Sequence, residues 1–275
     1  MEPQFTNVKL YEEQAKKVMK KMFTDYYQSG ADDEHTLNYT KSAFHQIKLK
    51  ARALGNADAF ENTETTILGH KIKSPICLAP AAFHKLAHPE GEKATARAAE
   101  RTGTLQCLSS WSNYSLEEVA EAAPDGLRIF QVYFTRSKEL NKDLFERAEK
   151  AGYKALAITA DTSLLGNRES DRHNKFSLPD NAKMGTLDKY LKSTFKGERG
   201  SGLEEYVEKY KHNGFTWTDL AEVKSMTKLP IILKGIQCAE DAKKAVEYGV
   251  DAIWVSNHGA RQLDTTPASI EVLEE

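Results

Sequence analysis

From Pro75 onward the chain alternates short apolar runs with longer stretches of helical pattern, and this restricts the available folds more than any other feature. The runs are Ile76-Cys77-Leu78-Ala79-Pro80, Leu105-Gln106-Cys107-Leu108-Ser109 and Ile129-Phe130-Gln131-Val132-Tyr133. They continue with Ala155-Leu156-Ala157-Ile158-Thr159, Ile231-Ile232-Leu233-Lys234 and Ala252-Ile253-Trp254-Val255-Ser256. Helices are expected at 89–102, 115–122 and 137–151. Strands alternating with helices at roughly 25-residue spacing imply βα units and a parallel sheet. The interval from Asp161 to Phe215 breaks the rhythm; it is long and charged, as lids and binding loops are.

Upstream of Pro75 the pattern differs. Val18, Met22 and Tyr26 recur at four-residue spacing, predicting a helix over 10–29 that stops at Gly30. A second helix is expected over 33–47, capped by Asp32 or Asp33. Thr65-Thr66-Ile67 and Lys71-Ile72-Lys73 flank Gly69 and predict a hairpin with His70 in its turn. The chain thus divides into N-terminal helices and hairpin (1–75) and a βα region (76–275) containing the loop 161–215.

Ser109, Gln131, Tyr133, Thr159, Asp161, Lys234, Ser256 and His258 fall at or near the C-terminal ends of the expected strands. In a (β/α)8 barrel that end carries the active site. A doubly wound sheet also binds ligands at strand ends, but no G-x-G-x-x-G follows the first strand, so the α/β, TIM (β/α)8-type barrel is favoured. The last run leads into Ser256-Asn257-His258-Gly259-Ala260-Arg261-Gln262-Leu263-Asp264. His258 can take a proton near neutrality, Arg261 carries a planar charged fork that fits a carboxylate, and Gly259 allows a tight turn between them. From the residues alone, the pair suits either proton abstraction beside a carboxylate clamp or a helix-capping loop. Likewise Tyr26 suits core packing, Arg168 a solvated loop, Asp161 a cap and Lys234 a strand end reaching solvent.

Composition limits the partners. The 275 residues carry a net charge of −2, which marks no nucleic-acid footprint and no polybasic membrane surface. No apolar run approaches the ~20 residues that span a bilayer, and Met1-Glu2-Pro3-Gln4-Phe5 lacks a secretory pattern. Cys77, Cys107 and Cys238 lack C-x-x-C spacing and suit reduced thiols of an intracellular protein, with no metal site.

Several stretches together resemble the FMN-dependent α-hydroxy-acid oxidase and dehydrogenase family, in its glycolate oxidase-like branch. They are Asp25-Tyr26-Tyr27-Gln28-Ser29-Gly30-Ala31, Ala87-His88-Pro89-Glu90-Gly91-Glu92 and Ser109-Ser110-Trp111, then Asp161-Thr162, Leu165-Gly166 with Arg168, and the His258 segment. The resemblance implies that Pro80, Ala81, Ala82, Ser109, Gln131, Thr159, Lys234 and Ser256 hold FMN, with Lys234 near the ring's N1 side. It implies that Tyr26, Tyr133, Arg168 and Arg261 bind substrate, that His258 is the base, and that Asp161 raises its pKa. The implied reaction oxidises a small (S)-2-hydroxy acid such as glycolate, with oxygen reduced to hydrogen peroxide; Trp111 and Tyr26 suit a small substrate. A peroxisomal location, otherwise cytoplasmic, and homo-oligomer formation are implied too.

Two departures accompany the resemblance. Ala81 stands where glycolate oxidases often have Thr. The chain reaches Glu275 within a helix expected from Pro267, with six of eight barrel strands counted and no counterpart of the family's Asp-Gly-Gly-x-Arg or Gly-Arg phosphate-binding segments. The expectation is a C-terminally truncated product, or a barrel completed by something else; the alternative function is a catalytically inactive product that lacks the FMN phosphate site.

Overall fold

The structure is a computed structural model that describes residues 5–55, 62–190, 201–210 and 214–275. Five strands form one parallel sheet: β3 (Gln106–Ser109), β4 (Arg128–Val132), β5 (Leu156–Thr159), β6 (Ile231–Ile236) and β7 (Ala252–Val255). Each pairs with its neighbours in sequence, in the order β3-β4-β5-β6-β7. A sixth segment joins beside β3 through a single parallel bridge between Leu78 and Gln106. It is the first run expected from sequence. Pro75 and Pro80 bracket it and offer no N–H, so its ladder stays one bridge long. The architecture is the (β/α)8-barrel type, with six parallel segments in sequential order.

Register explains the site's position. Strand side chains alternate faces, and the pairing aligns Ser109 with Gln131, Thr159 with Lys234, and Lys234 with Trp254. On that inward face the N-terminal half is apolar: Leu105, Cys107, Ile129, Ala155, Ala157 and Ile232 form a compact buried cluster. The hairpin, β1 (Thr65–Ile67) and β2 (His70–Ile72), plugs this end with Ile72. Two residues further along each strand the same face turns polar. The outward face, including Leu108, Phe130, Leu156 and Ile158, packs against the helices.

Those helices are α4 (Gly91–Thr102), α5 (Leu116–Ala122), α6 (Lys138–Lys150), α9 (Trp217–Met226) and α10 (Ala239–Glu247). Their starts are encoded locally. Ser115 and Glu118 form a capping box on α5, Thr216 and Asp219 form another on α9, and the Ser137 hydroxyl accepts the Leu140 amide on α6. α6 buries Leu140, Leu144, Phe145 and Ala148 along one stripe.

Several expectations are corrected. The first helix is two, α1 (Val8–Val18) and α2 (Lys21–Gln28), separated by extended Met19 and Lys20. The break turns α2 inward, so Tyr26 is buried while Val18 stays exposed. α3 (His35–Ala43) is not capped by Asp32 or Asp33. The amides of His35 and Thr36 donate instead to the Asp264 carboxylate, at 3.1 and 2.7 Å. His70 is not in the hairpin turn; it opens β2, paired with Ile67. Among its described residues, the segment between Asp161 and Phe215 holds two helices, α7 (Glu169–His173) and α8 (Gly202–Tyr210). Of that loop, 191–200 and 211–213 lie outside the described residues, as do 1–4 and 56–61 of the N-terminal region. No helix begins at Pro267. A short turn at 269–271 stands there, and the Ala268 amide goes to the Glu271 carboxylate without a helical ladder following.

Candidate active site

The polar ends of the strands open into a cavity of about 280 Å³. Every site residue singled out in the sequence lines it except Asp161, which stands directly behind His258. Several chain segments converge there, among them residues 79–82 and the loop after β7 that carries His258 and Arg261. The strand ends supply Ser109, Gln131, Thr159, Lys234 and Ser256; α2 supplies Tyr26; the loop after β5 supplies Arg168. The N-terminal segment is sewn to the loop after β7, with Ala31 N–H donating to the Ala260 carbonyl at 2.9 Å and Arg261 Nη1 donating to the Ser29 carbonyl at 2.6 Å. Gly166 is required at the facing loop, because a Cβ there would sit 2.2 Å from the Arg261 carbonyl oxygen.

His258 adopts a left-handed backbone, φ 59°, and its amide donates to Ser256 Oγ at 3.0 Å. Its Nδ1 lies 2.7 Å from Asp161 Oδ1. Nε2 faces the cavity, 3.4 Å from the Tyr133 hydroxyl. Burial, reinforced by the Lys234 charge, lowers its pKa to about 4 against the opposing pull of Asp161. Asp161 raises the pKa as the resemblance implied, but in a site this dry desolvation outweighs one carboxylate and the net shift is downward. Burial also works against the charge of Asp161, but the His258 hydrogen bond and the charges of His258 and Lys234 hold its pKa below the ordinary value. The resting pair is therefore a neutral imidazole donating Nδ1–H to a carboxylate, with Nε2 left as the acceptor.

Lys234 is buried; its Nζ donates to Ser256 Oγ at 3.3 Å and lies 3.7 Å from Asp161 Oδ2. The next residue makes this crowding possible. Gly235 has φ 105°, and a Cβ there would meet Asp161 Cβ and Cγ at 2.5 Å. The β6–β7 register also shifts between Lys234 and Ile236. This irregularity lets one strand present Lys234 inward while Asp161 packs flat against its backbone.

Arg168 and Arg261 face the same cavity. Arg168 is only 5% exposed; burial first, then the Arg261 charge, lower its pKa to about 10. Its Nη2 reaches Gln262 Oε1 at 3.4 Å. Arg261 lies over the Tyr26 ring at 5.2 Å. Neither arginine makes an ion pair among the described residues. A buried Arg168 and a partly buried Arg261, neither ion-paired and both beside a neutral base, can hold an anion next to a proton acceptor. Aromatic rings limit its size: Trp111 packs on Tyr133 at 4.5 Å between centroids, and Tyr26 stacks on Phe176 at 4.4 Å.

The remaining wall suits a flat conjugated ring. Ala79, Pro80, Ala81 and Ala82 present little bulk, Gln131 and Thr159 are joined side chain to side chain at 2.9 Å, and Lys234 brings a buried cation. These residues fit the ring of FMN. Sequence reasoning missed Tyr27, Ala79, Trp254 and Gly259 as lining residues. Trp254 was readable, since it stands two residues before Ser256 on one strand and so shares its face. Tyr27 was not: its hydroxyl donates to the Phe83 carbonyl at 2.7 Å, across a loop whose path no local pattern predicts.

A family profile described as FMN-dependent dehydrogenase matches residues 15–275. Glycolate oxidase 3 of Oryza sativa subsp. indica is 46% identical over 98% of this chain and 73% of its own length. 2-Hydroxyacid oxidase 1 of Mus musculus is 44% identical, over 100% of this chain and 75% of its own. A crystal structure of mandelate oxidase with (S)-4-hydroxymandelic acid superposes with a TM-score of 0.89 at 33% identity, covering 98% of this chain and 75% of that one.

Proposed function

The chain belongs to the FMN-dependent dehydrogenase family, and on that premise we propose that its cavity oxidises a small 2-hydroxy acid to the 2-oxo acid, with oxygen as the electron acceptor and hydrogen peroxide as the second product. The observation that carries this is the arginine pair, Arg168 buried and Arg261 partly buried, neither of them ion-paired among the described residues, within the cavity that His258 enters.

The substrate carboxylate docks between Arg168 and Arg261, with Tyr26 beside it. This places the α-hydroxyl toward His258 Nε2, which accepts its proton. Asp161 then faces an imidazolium through a 2.7 Å contact, and the proton is stabilised by a full opposite charge. The docked carboxylate works in the same direction, offsetting the Lys234 and Arg168 charges that otherwise disfavour protonated His258. Tyr133 borders both Nε2 and the substrate space, and Trp111, packed on Tyr133, takes up room in the same cavity, favouring small acids. Residues 79–82, Ser109, Gln131, Thr159 and Lys234 would hold FMN, which would supply the acceptor for the two electrons and the hydrogen lost at the α-carbon and the route from there to oxygen. Lys234 contributes a fixed positive charge to that end of the site.

The test is a flavin titration of the purified chain followed by glycolate under nitrogen. Saturable binding with bleaching of the bound flavin is expected, and peroxide should appear when air is admitted. Bound flavin that no small 2-hydroxy acid bleaches, or a folded chain that takes up no FMN, would overturn the reading.

A further inference from the structure

Behind the arginine pair, outside the cavity, lies a buried acid with no role in the chemistry above. Asp171 sits in the first turn of α7, three residues after Arg168, and is 2% exposed. Both its carboxylate oxygens are buried, and neither has a hydrogen-bond partner among the described residues. α7 packs against α2, so the groups facing Asp171 are Arg168 at the N-cap of α7, Arg261 from the loop after β7, and Tyr26 and Asp25 of α2. Asp25 is already satisfied, by Lys21 at 2.5 Å and Asn174 at 2.7 Å. Asp171 is therefore the one acid of this cluster without a partner of its own.

A buried carboxylate with no hydrogen bonds is costly in its charged form. Burial accordingly raises the Asp171 pKa, while Arg168 and Arg261 pull it down and Asp25 adds to the rise. The two arginines are thus what favours its charge, and a substrate carboxylate arriving between them cancels that field.

We propose that Asp171 is a positioning residue that balances the carboxylate clamp: it is ionised before an anion docks on Arg168 and Arg261, and it takes a proton from solvent when one does. This rests on reading the two arginines as the clamp. It assigns Asp171 two effects. It keeps the arginines apart from one another's full repulsion while no carboxylate is between them, and it weakens the grip on the acid, which favours product release. By linkage, anion binding and proton uptake are coupled and reciprocal.

The experiment is calorimetry of methoxyacetate binding to the FMN-loaded chain in buffers of different ionisation enthalpy. Methoxyacetate keeps the carboxylate and blocks the reactive hydroxyl. Proton uptake on binding is expected in the unmodified chain and in Asp171→Glu, and should vanish in Asp171→Asn. Removing the Asp171 charge should also tighten anion binding roughly tenfold, the scale of one charge acting at ~10 Å through an effective dielectric near 20. His258→Gln distinguishes the other group able to gain a proton: uptake that survives in it supports Asp171. Uptake absent in the unmodified chain, retained in Asp171→Asn or lost in His258→Gln would overturn the proposal while leaving the clamp intact. Failure of the loaded, unmodified chain to bind methoxyacetate at all would overturn the clamp and this inference together. If Asp171→Asn does not fold, the unmodified chain and His258→Gln still decide.

Discussion

Replacing Asp161 by Asn tests the acid–base pair most directly. The change is nearly isosteric, so the 2.7 Å contact to His258 Nδ1 has room to persist. Two things are lost. One is charge: imidazolium and carboxylate centres about 4 Å apart interact by about 4 kcal/mol at an effective dielectric near 20. The side chain is 11% exposed, so little of this is screened by solvent. The other is tautomer control. Lys234 lies 3.7 Å from the second oxygen and draws the amide oxygen to its side. The amide NH₂ then faces Nδ1 and moves the imidazole proton to Nε2, the atom that must accept. Lys234 repels the imidazolium in either variant, which trims the charge contribution. The expected result is a kcat lowered about a hundredfold to a thousandfold, with KM nearly unchanged because neither arginine is touched, and flavin binding retained. Stopped-flow measurement of flavin bleaching isolates this step from reoxidation. A bleaching rate within a few-fold of the parent would refute the assignment of Asp161 as the partner that stabilises protonated His258.

Three further outcomes follow from the geometry. His258→Gln should bind flavin as the parent does yet show no turnover, and in the parent kcat/KM should fall below a pH of about 4, where free His258 gains its proton and ceases to be a base; a flat acid limb through that range contradicts the role. Gly235→Ala combines a positive φ with a Cβ placed 2.5 Å from Asp161, so it should lower both the melting temperature and turnover; a variant with parental kcat would mean that the close packing of Asp161 on β6 is dispensable. Asp264 has its pKa depressed from its ordinary value of 3.8 to about 2, chiefly by the Thr36 amide, so the stability it supplies is full above the ordinary value and is lost as pH falls toward the folded one. Thermal melts across that window should fall more steeply for the parent than for Asp264→Asn.

The parallel sheet was legible because buried strands read as continuous apolar runs, and β3, β4 and β5 are buried at every position. The site's location was legible because polar residues ended those runs. What escaped were features set by distant partners. The two-residue break between α1 and α2 follows from Tyr26 needing to reach the cavity, and no helix stop stands at Met19. The cap of α3 comes from Asp264, more than two hundred residues away, while Asp32 and Asp33 offered an adjacent alternative. Asp161 raises the pKa of His258 as expected, yet the net shift is downward, because sequence shows a neighbouring acid but not the dryness of the site. Asp171 passed unnoticed for the same reason: in sequence it is one charge among many on a charged loop.

The bonds that sew Ser29 and Ala31 to the loop after β7, and Asp264 to α3, join residues separated in sequence by as many as 232 positions. Closing so large a loop costs chain entropy that nothing local repays in advance. Helices α2 and α3 must therefore wait, unsatisfied, for residues made more than two hundred positions after them. Tyr26, Arg261 and His258 come into register together or not at all. Until these two segments meet, the proposed carboxylate grip and base are not in place, so competence to react arrives in one step with their meeting.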